Sequence, residues 1–89
     1  MISRDVTIIN RLGLHARAAT RLVNCASEFK AEVLLKKGAR SVNGKSIMGV
    51  LTLAAATGTD LTIETRGDDE QLAIAALIQL INNRFGEDE

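Results

Sequence analysis

Hydrophobic residues change their spacing along this chain, and that change limits what it can fold into more tightly than any motif does. Within Ile2 to Ile9, the apolar residues Ile2, Val6 and Ile8 stand at even spacing between polar ones, the period of a strand with one buried face. From Ala16 the period becomes helical: Ala19, Leu22, Val23, Ala26 and then Phe29 or Lys30 draw one apolar stripe along about three or four turns. Alternation returns at Ala31, Val33 and Leu35 against Glu32 and Lys36. The run "KKGAR" then supplies a turn glycine, and Arg40 to Asn43 reads as the returning strand of a hairpin. Ser46 followed by Ile47, Val50 and Leu51 predicts a short helix with Ser46 as N-cap, despite Gly49 in its interior. Leu61, Ile63 and Thr65 alternate as a last strand. "RGDDEQ" then offers a turn and an Asp68 to Gln71 capping-box spacing, ahead of a long helix with Leu72, Ala76 and Leu80 beside Ile74, Leu77, Ile78 and Ile81.

The order is βαββαβα. Helices with one apolar stripe and strands with one apolar face are both satisfied when the helices cover one side of the sheet and leave the other wet. The expected fold is therefore α+β, a two-layer open-faced sandwich with three helices on one face of a four-stranded, mainly antiparallel sheet. Eighty-nine residues of 46% hydrophobic content supply one core, so residues 1–89 are expected to form a single domain. Proline is absent, no linker or low-complexity tract divides the chain, and the acidic "GEDE" after Phe85 is the only biased end.

Charge and aromatic content remove whole classes of partner. Eleven Lys and Arg balance eleven Asp and Glu, so no net field draws the chain to nucleic acid or an anionic membrane. Two Phe with no Tyr or Trp leave little for bases to stack on. Cys25 is the only cysteine, which excludes an internal disulfide framework and fits a packed structural thiol in a reducing compartment. No secretory h-region opens the chain and no apolar run approaches the roughly 20 residues of a membrane span, so a soluble, cytoplasmic protein is expected.

The chain's one histidine, His15, lies in "RLGLHARAAT" at the boundary where the first helix begins. A helix start leaves N–H groups without acceptors and carries partial positive charge, a ready site for phosphate. The N–H groups of Ala16, Arg17 and Ala18 would face a phosphoryl group held on the imidazole, and Arg17 adds a cation in the same turn. The positive helix end should disfavour imidazolium. An ordinary histidine titrates near roughly pH 6.5, so a modest push keeps a nucleophilic ring nitrogen free at neutral pH. Gly13 and the alanines flanking Arg17 would let a partner approach the ring. A histidine that only caps the helix or packs on the sheet fits the same spacing. A metal centre would need further ligands, and there is no second histidine. No metal and no cofactor are expected.

"GLHARAA" resembles the active-site motif of the HPr family, the histidine-containing phosphocarriers of the bacterial phosphotransferase system, and the resemblance spans essentially the whole chain. It implies one HPr domain over 1–89. It also implies that His15 takes a phosphoryl group on Nδ1 from enzyme I, which draws on phosphoenolpyruvate, and passes it to enzyme IIA, with Arg17 beside it. The family's usual proline is replaced by Ala18, which leaves one more N–H donor in the first turn and a less restrained unfolded chain.

"GARSVNGKS" imitates a nucleotide-binding P-loop, but five residues separate Gly38 from Gly44 where four are needed, so nucleotide binding is not expected. "VNGKSIMGVL" instead resembles the regulatory segment of HPr proteins phosphorylated by HPr kinase/phosphorylase, which implies Ser46 as a modification site. The plainer role of Ser46 is a helix N-cap, and the two are compatible. The resemblance further implies a docking face for enzyme I and enzyme IIA. Ile47, Met48 and Leu51 would lie on one side and Ala16, Arg17, Thr20 and Arg21 on the other, with a basic rim that suits acidic partners. Leu51 reads equally as core. A monomer is expected. Two other readings stay open: a nitrogen-related branch of the family that signals, and an α+β interaction module without covalent chemistry.

Overall fold

The computed structural model describes residues 1–89 and has the expected element order: β1 (Ile2–Thr7), α1 (Ala16–Ser27), β2 (Glu32–Lys37), β3 (Arg40–Asn43), α2 (Ile47–Thr52), β4 (Asp60–Arg66) and α3 (Glu70–Asn82), followed by a 3₁₀ turn at Arg84–Gly86. The four strands form one sheet in the order β1-β4-β2-β3, and every neighbouring pair is antiparallel. The register sets Val6 opposite Leu61 and Leu35 opposite Ile63, so their side chains share the helix-covered face. All four belong to a 19-residue core that also takes in Leu22, Val23 and Ala26 of α1, Val50 of α2, and Ile74, Leu77 and Ile81 of α3. The core is aliphatic apart from Phe85, as the composition requires.

Four local expectations are corrected. β1 ends at Thr7, before Ile8 and Ile9, because the backbone of Ile8 pairs with the turn preceding β4: its N–H donates to Thr59 O at 2.9 Å and its carbonyl accepts from Gly58 N at 2.7 Å. On α3 the buried stripe is Ala73, Ile74, Leu77 and Ile81, whereas Leu72 is 66% exposed. The helix is turned so that the denser apolar row meets the sheet. The Asp68 to Gln71 capping box does not form. Asp69 occupies the N-cap position, and its carboxylate accepts instead from the N–H groups of Lys30 at 2.9 Å and Ala31 at 2.8 Å, tying the α1–β2 link to the start of α3. The Lys30 amide foremost, with Ala31 and Lys45 adding to it against the opposing effect of desolvation, holds the Asp69 carboxyl below its ordinary value.

The fourth correction concerns the acidic end. Arg84, Phe85 and Gly86 all adopt left-handed backbone, with φ of 54°, 54° and 79°. For the two non-glycine residues this costs about 1–2 kcal/mol each. The turn drives Phe85 into the core, where it is 1% exposed, and sends Glu87 to Glu89 back across the molecule toward the start of α1. No helix is long and apolar enough to cross a membrane.

Candidate functional site

The loop from β1 to α1 is built around Gly13. Its φ is +67°, and a Cβ there would come within 2.6 Å of Ala55 O, so the position excludes any side chain. Next along the chain, Leu14 N–H donates to Ala55 O at 2.8 Å, which fixes the approach to His15. Gly13 is therefore buried for backbone reasons and does not serve partner access, contrary to expectation. The same correction applies to Ala18, a core residue, while Ala16 is exposed.

His15 is the N-cap of α1, with extended backbone (φ −74°, ψ 178°) and no capping bond from its side chain. The first intrahelical bond is Ala19 N–H to His15 O at 2.8 Å, and the N–H groups of Ala16, Arg17 and Ala18 find no acceptor in the chain. The positive end of α1 is thus open beside the ring.

The ring itself is half-buried, its side chain 27% exposed, because the C-terminal segment reaches it: Nε2 meets Glu87 Oε2. The same carboxylate accepts at Oε1 from Asn10 Nδ2 at 2.9 Å, and Asn10 Nδ2 also donates to Gly13 O at 2.8 Å. Asn10 is fully buried, and its Oδ1 has no partner. Such an orphan acceptor costs about 1–3 kcal/mol, which makes the two donated bonds the reason for the residue. The Asn10 hydrogen bond, opposed by desolvation and then helped by the contact with His15 and the charge of Arg17, holds the Glu87 carboxyl below its ordinary value. It is an ionised acceptor, so the proton between it and the ring belongs to Nε2, and Nδ1 lies on the ring's other side.

On the tail side of Glu87 lies a shallow cavity of about 540 Å³ bounded by Arg11, Leu12, Arg17, Arg21 and residues 86–89, and the ring of His15 does not line it. Arg11 pairs with Glu89, and Arg21 donates to the carbonyl of Phe85. Arg17 has no ion pair and no side-chain hydrogen bond, and is exposed. Of these three cations only Arg11 is neutralised from within the chain; Arg21 is tethered to a neutral carbonyl, and Arg17 makes no side-chain contact of either kind.

The second predicted site stands at the start of α2. Ser46 Oγ accepts from Gly49 N–H at 3.1 Å, the expected cap. The strand before it, β3, is the second arm of a hairpin, and a Cβ on Gly44 would meet Val33 Cγ1 at 2.5 Å, so this glycine serves packing and not a phosphate loop. Of the residues expected to dock partners, Ala16, Thr20, Arg21 and Ile47 are exposed and Met48 is 73% exposed, while Leu51 is half-buried against the core. Leu12, at 65%, adds exposed apolar surface beside the cavity that the sequence reading did not assign. Cys25 is half-buried, and desolvation foremost, with Glu28 nearby, raises its thiol, in keeping with a packed and unreactive group.

Sequence reasoning missed Asn10 and Glu87. The sequence assigned Asn10 no role, and Glu87 figured only within the acidic biased end. Phe85 was the available signal: a large apolar residue so close to an acidic terminus needs a core position, and burying it carries the following carboxylates inward.

Comparison with known proteins follows the same geometry. The family described as the PTS HPr component phosphorylation site matches residues 2–83. The chain is 54% identical over 89 residues to the phosphocarrier protein HPr of Cupriavidus necator, with both chains fully covered. The crystal structure of HPr-C-His from Thermoanaerobacter tengcongensis superposes with a TM-score of 0.97 at 40% identity, covering all of both chains. An HPr dimer from the same organism matches with a TM-score of 0.79 at 41% identity, over 98% of this chain and 100% of that one.

Proposed function

This chain belongs to the HPr family, the phosphocarriers of the phosphotransferase system, and from that premise we propose that His15 accepts a phosphoryl group on Nδ1 from enzyme I and surrenders it to an enzyme IIA domain. The observation that carries the reading is the uncapped start of α1, where three amides without acceptors and the unpaired Arg17 stand beside a nucleophilic ring. In the forward step the Nδ1 lone pair forms a bond to phosphorus while the bond from phosphorus to its donor atom on enzyme I breaks, leaving its electron pair on that atom. The three phosphoryl oxygens are then met by the amides of Ala16, Arg17 and Ala18 and by the Arg17 guanidinium. A protein that both takes and gives this group must hold it without sealing it, and the exposed Ala16 and Arg17 at the start of α1 suit that task.

Met48, Ile47 and Leu51 with Ala16, Arg17, Thr20 and Arg21 form the face that docks enzyme I and enzyme IIA. Met48 supplies an adaptable contact suited to more than one partner. Residues 1–89 act as one HPr domain, as a monomer, in the cytoplasm. Phosphorylation of Ser46 by HPr kinase/phosphorylase adds a charge of about −1.5 to −2 at the start of α2 and weakens docking of partners whose own surface is acidic.

Incubation with enzyme I and phosphoenolpyruvate tests the carrier reading. Acid-labile label is expected on the wild type and none on His15→Ala, whereas a non-covalent interaction module would take no label in either form. For Ser46, incubation with the kinase and ATP followed by site mapping should place phosphate on Ser46, and its absence removes the regulatory part. Met48→Glu should slow transfer from enzyme I; an unchanged rate would remove the docking face.

A further inference from the structure

We infer that Glu87, held by Asn10, is a positioning residue for His15: its carboxylate binds Nε2–H, so that Nδ1 carries the lone pair, and it balances the charge that appears on the ring when Nδ1 takes up phosphate. The inference rests on the carrier reading and adds to it a role for a C-terminal residue. Three observations converge. Both oxygens of Glu87 are committed, Oε2 to the ring and Oε1 to Asn10 Nδ2. Asn10 is fully buried and gives its two amide hydrogens to Glu87 and to Gly13 O, so one side chain sets both the carboxylate and the loop that delivers His15. The side chain of Glu87 is only 13% exposed although the residue lies near the terminus, because the left-handed turn and buried Phe85 bring it there.

The chemistry asks for such a group. When Nδ1 forms its bond to phosphorus, the proton on Nε2 remains, so the ring becomes a cation bearing the phosphoryl group. A carboxylate on Nε2 stabilises that cation and keeps the ring's plane aimed at the donor, as the carboxylate partner of a catalytic histidine does in general. The proton stays on Nε2 throughout, and Glu87 neither accepts it nor is consumed.

Glu87→Gln tests the arrangement without changing its shape. The amide has one oxygen, so it must turn an NH₂ toward either the Asn10 donor or the ring N–H. Glu87→Ala removes the contact altogether, and since the change lies beyond Phe85 the core is untouched. On protein labelled with ¹⁵N in the imidazole, the wild type should give a downfield, slowly exchanging Nε2–H resonance that Glu87→Ala loses and that moves upfield in Glu87→Gln. Transfer from enzyme I should slow by about tenfold in Glu87→Ala, the scale of one hydrogen bond to a charged group. A ring resonance unchanged in Glu87→Ala overturns the inference, as does an unchanged rate. A faster rate also overturns it, since the tail would then be an obstacle and not a support. Failure of the wild type to accept phosphate would instead strike the carrier reading, while the ring resonance still decides whether Glu87 holds Nε2.

Discussion

The starts of α1 and α2 are the same kind of place put to different ends. At α2 the N-cap is Ser46, whose hydroxyl accepts from Gly49 N–H and closes part of the helix end onto itself. At α1 the N-cap is His15, which contributes no such bond and leaves the amides of Ala16, Arg17 and Ala18 without acceptors, the first two on exposed residues and the third on a buried one. A serine in the first position would have been worth about 1 kcal/mol to the fold. The chain forgoes that stabilisation where the anion is to bind and takes it where the helix only needs to be held. α3 adds a third solution, since the carboxylate of its N-cap Asp69 turns away to hold the backbone of Lys30 and Ala31. An uncapped start is not distinctive by itself, since α3 has one too; at α1 it is informative because His15 and the unpaired Arg17 stand beside it.

Making the two starts alike should have the largest effect. His15→Ser gives α1 a cap of the α2 kind, and label transfer from enzyme I should be lost entirely. The midpoint of thermal unfolding should stay within ~5 °C of the wild type, because the new cap offsets the lost contact with Glu87. Next in size, Phe85→Ala should cost about 3–5 kcal/mol in chemical denaturation. Because Phe85 also anchors the tail that reaches His15, amide exchange should accelerate more around His15 than around Ser46. Ser46→Ala should cost about 0.5–2 kcal/mol and leave phosphoryl acceptance by His15 unchanged. A loss of acceptance there would mean that the two starts are not independent.

The smallest effect expected is from acid. Glu87 and Asp69 have folded values below those of the unfolded chain, so each contributes stability that is fully present above the unfolded values of about 4.3 and 3.9 and is lost as the pH falls through the lower folded ones. Carboxyl-detected NMR should find both titrating below that range. Asn10→Ala should return Glu87 toward it while leaving Asp69 where it was, which separates the α1 end from the rest of the sheet.

The layers and the element order of the fold were legible because period separates most strands from helices here, with Gly38 marking the hairpin turn and Ser46 as N-cap deciding for α2; the order of strands in the sheet was not. His15 was legible for the same reason, being a chemically distinct residue at a helix boundary. Contacts between segments distant in sequence were not. Asp69 finding Lys30, and Glu87 finding Asn10 and His15, depend on how the ends of the chain meet after folding. The left-handed turn at Arg84 and Phe85 has no local sequence signal before Gly86. The rotation of α3 that exposes Leu72 was equally hidden, since two adjacent apolar rows compete for one sheet face and only packing decides between them.

The central claim is that the open amides at the start of α1 receive a phosphoryl group carried by His15. Backbone amide NMR during phosphorylation by enzyme I and phosphoenolpyruvate, with ³¹P observed on the same sample, tests it directly. The account predicts a phosphorus–nitrogen resonance together with the largest amide shifts at Ala16, Arg17 and Ala18, and little change from Ser46 to Gly49. A phosphorus signal with those three amides unmoved, or no phosphorus on His15 at all, would contradict it.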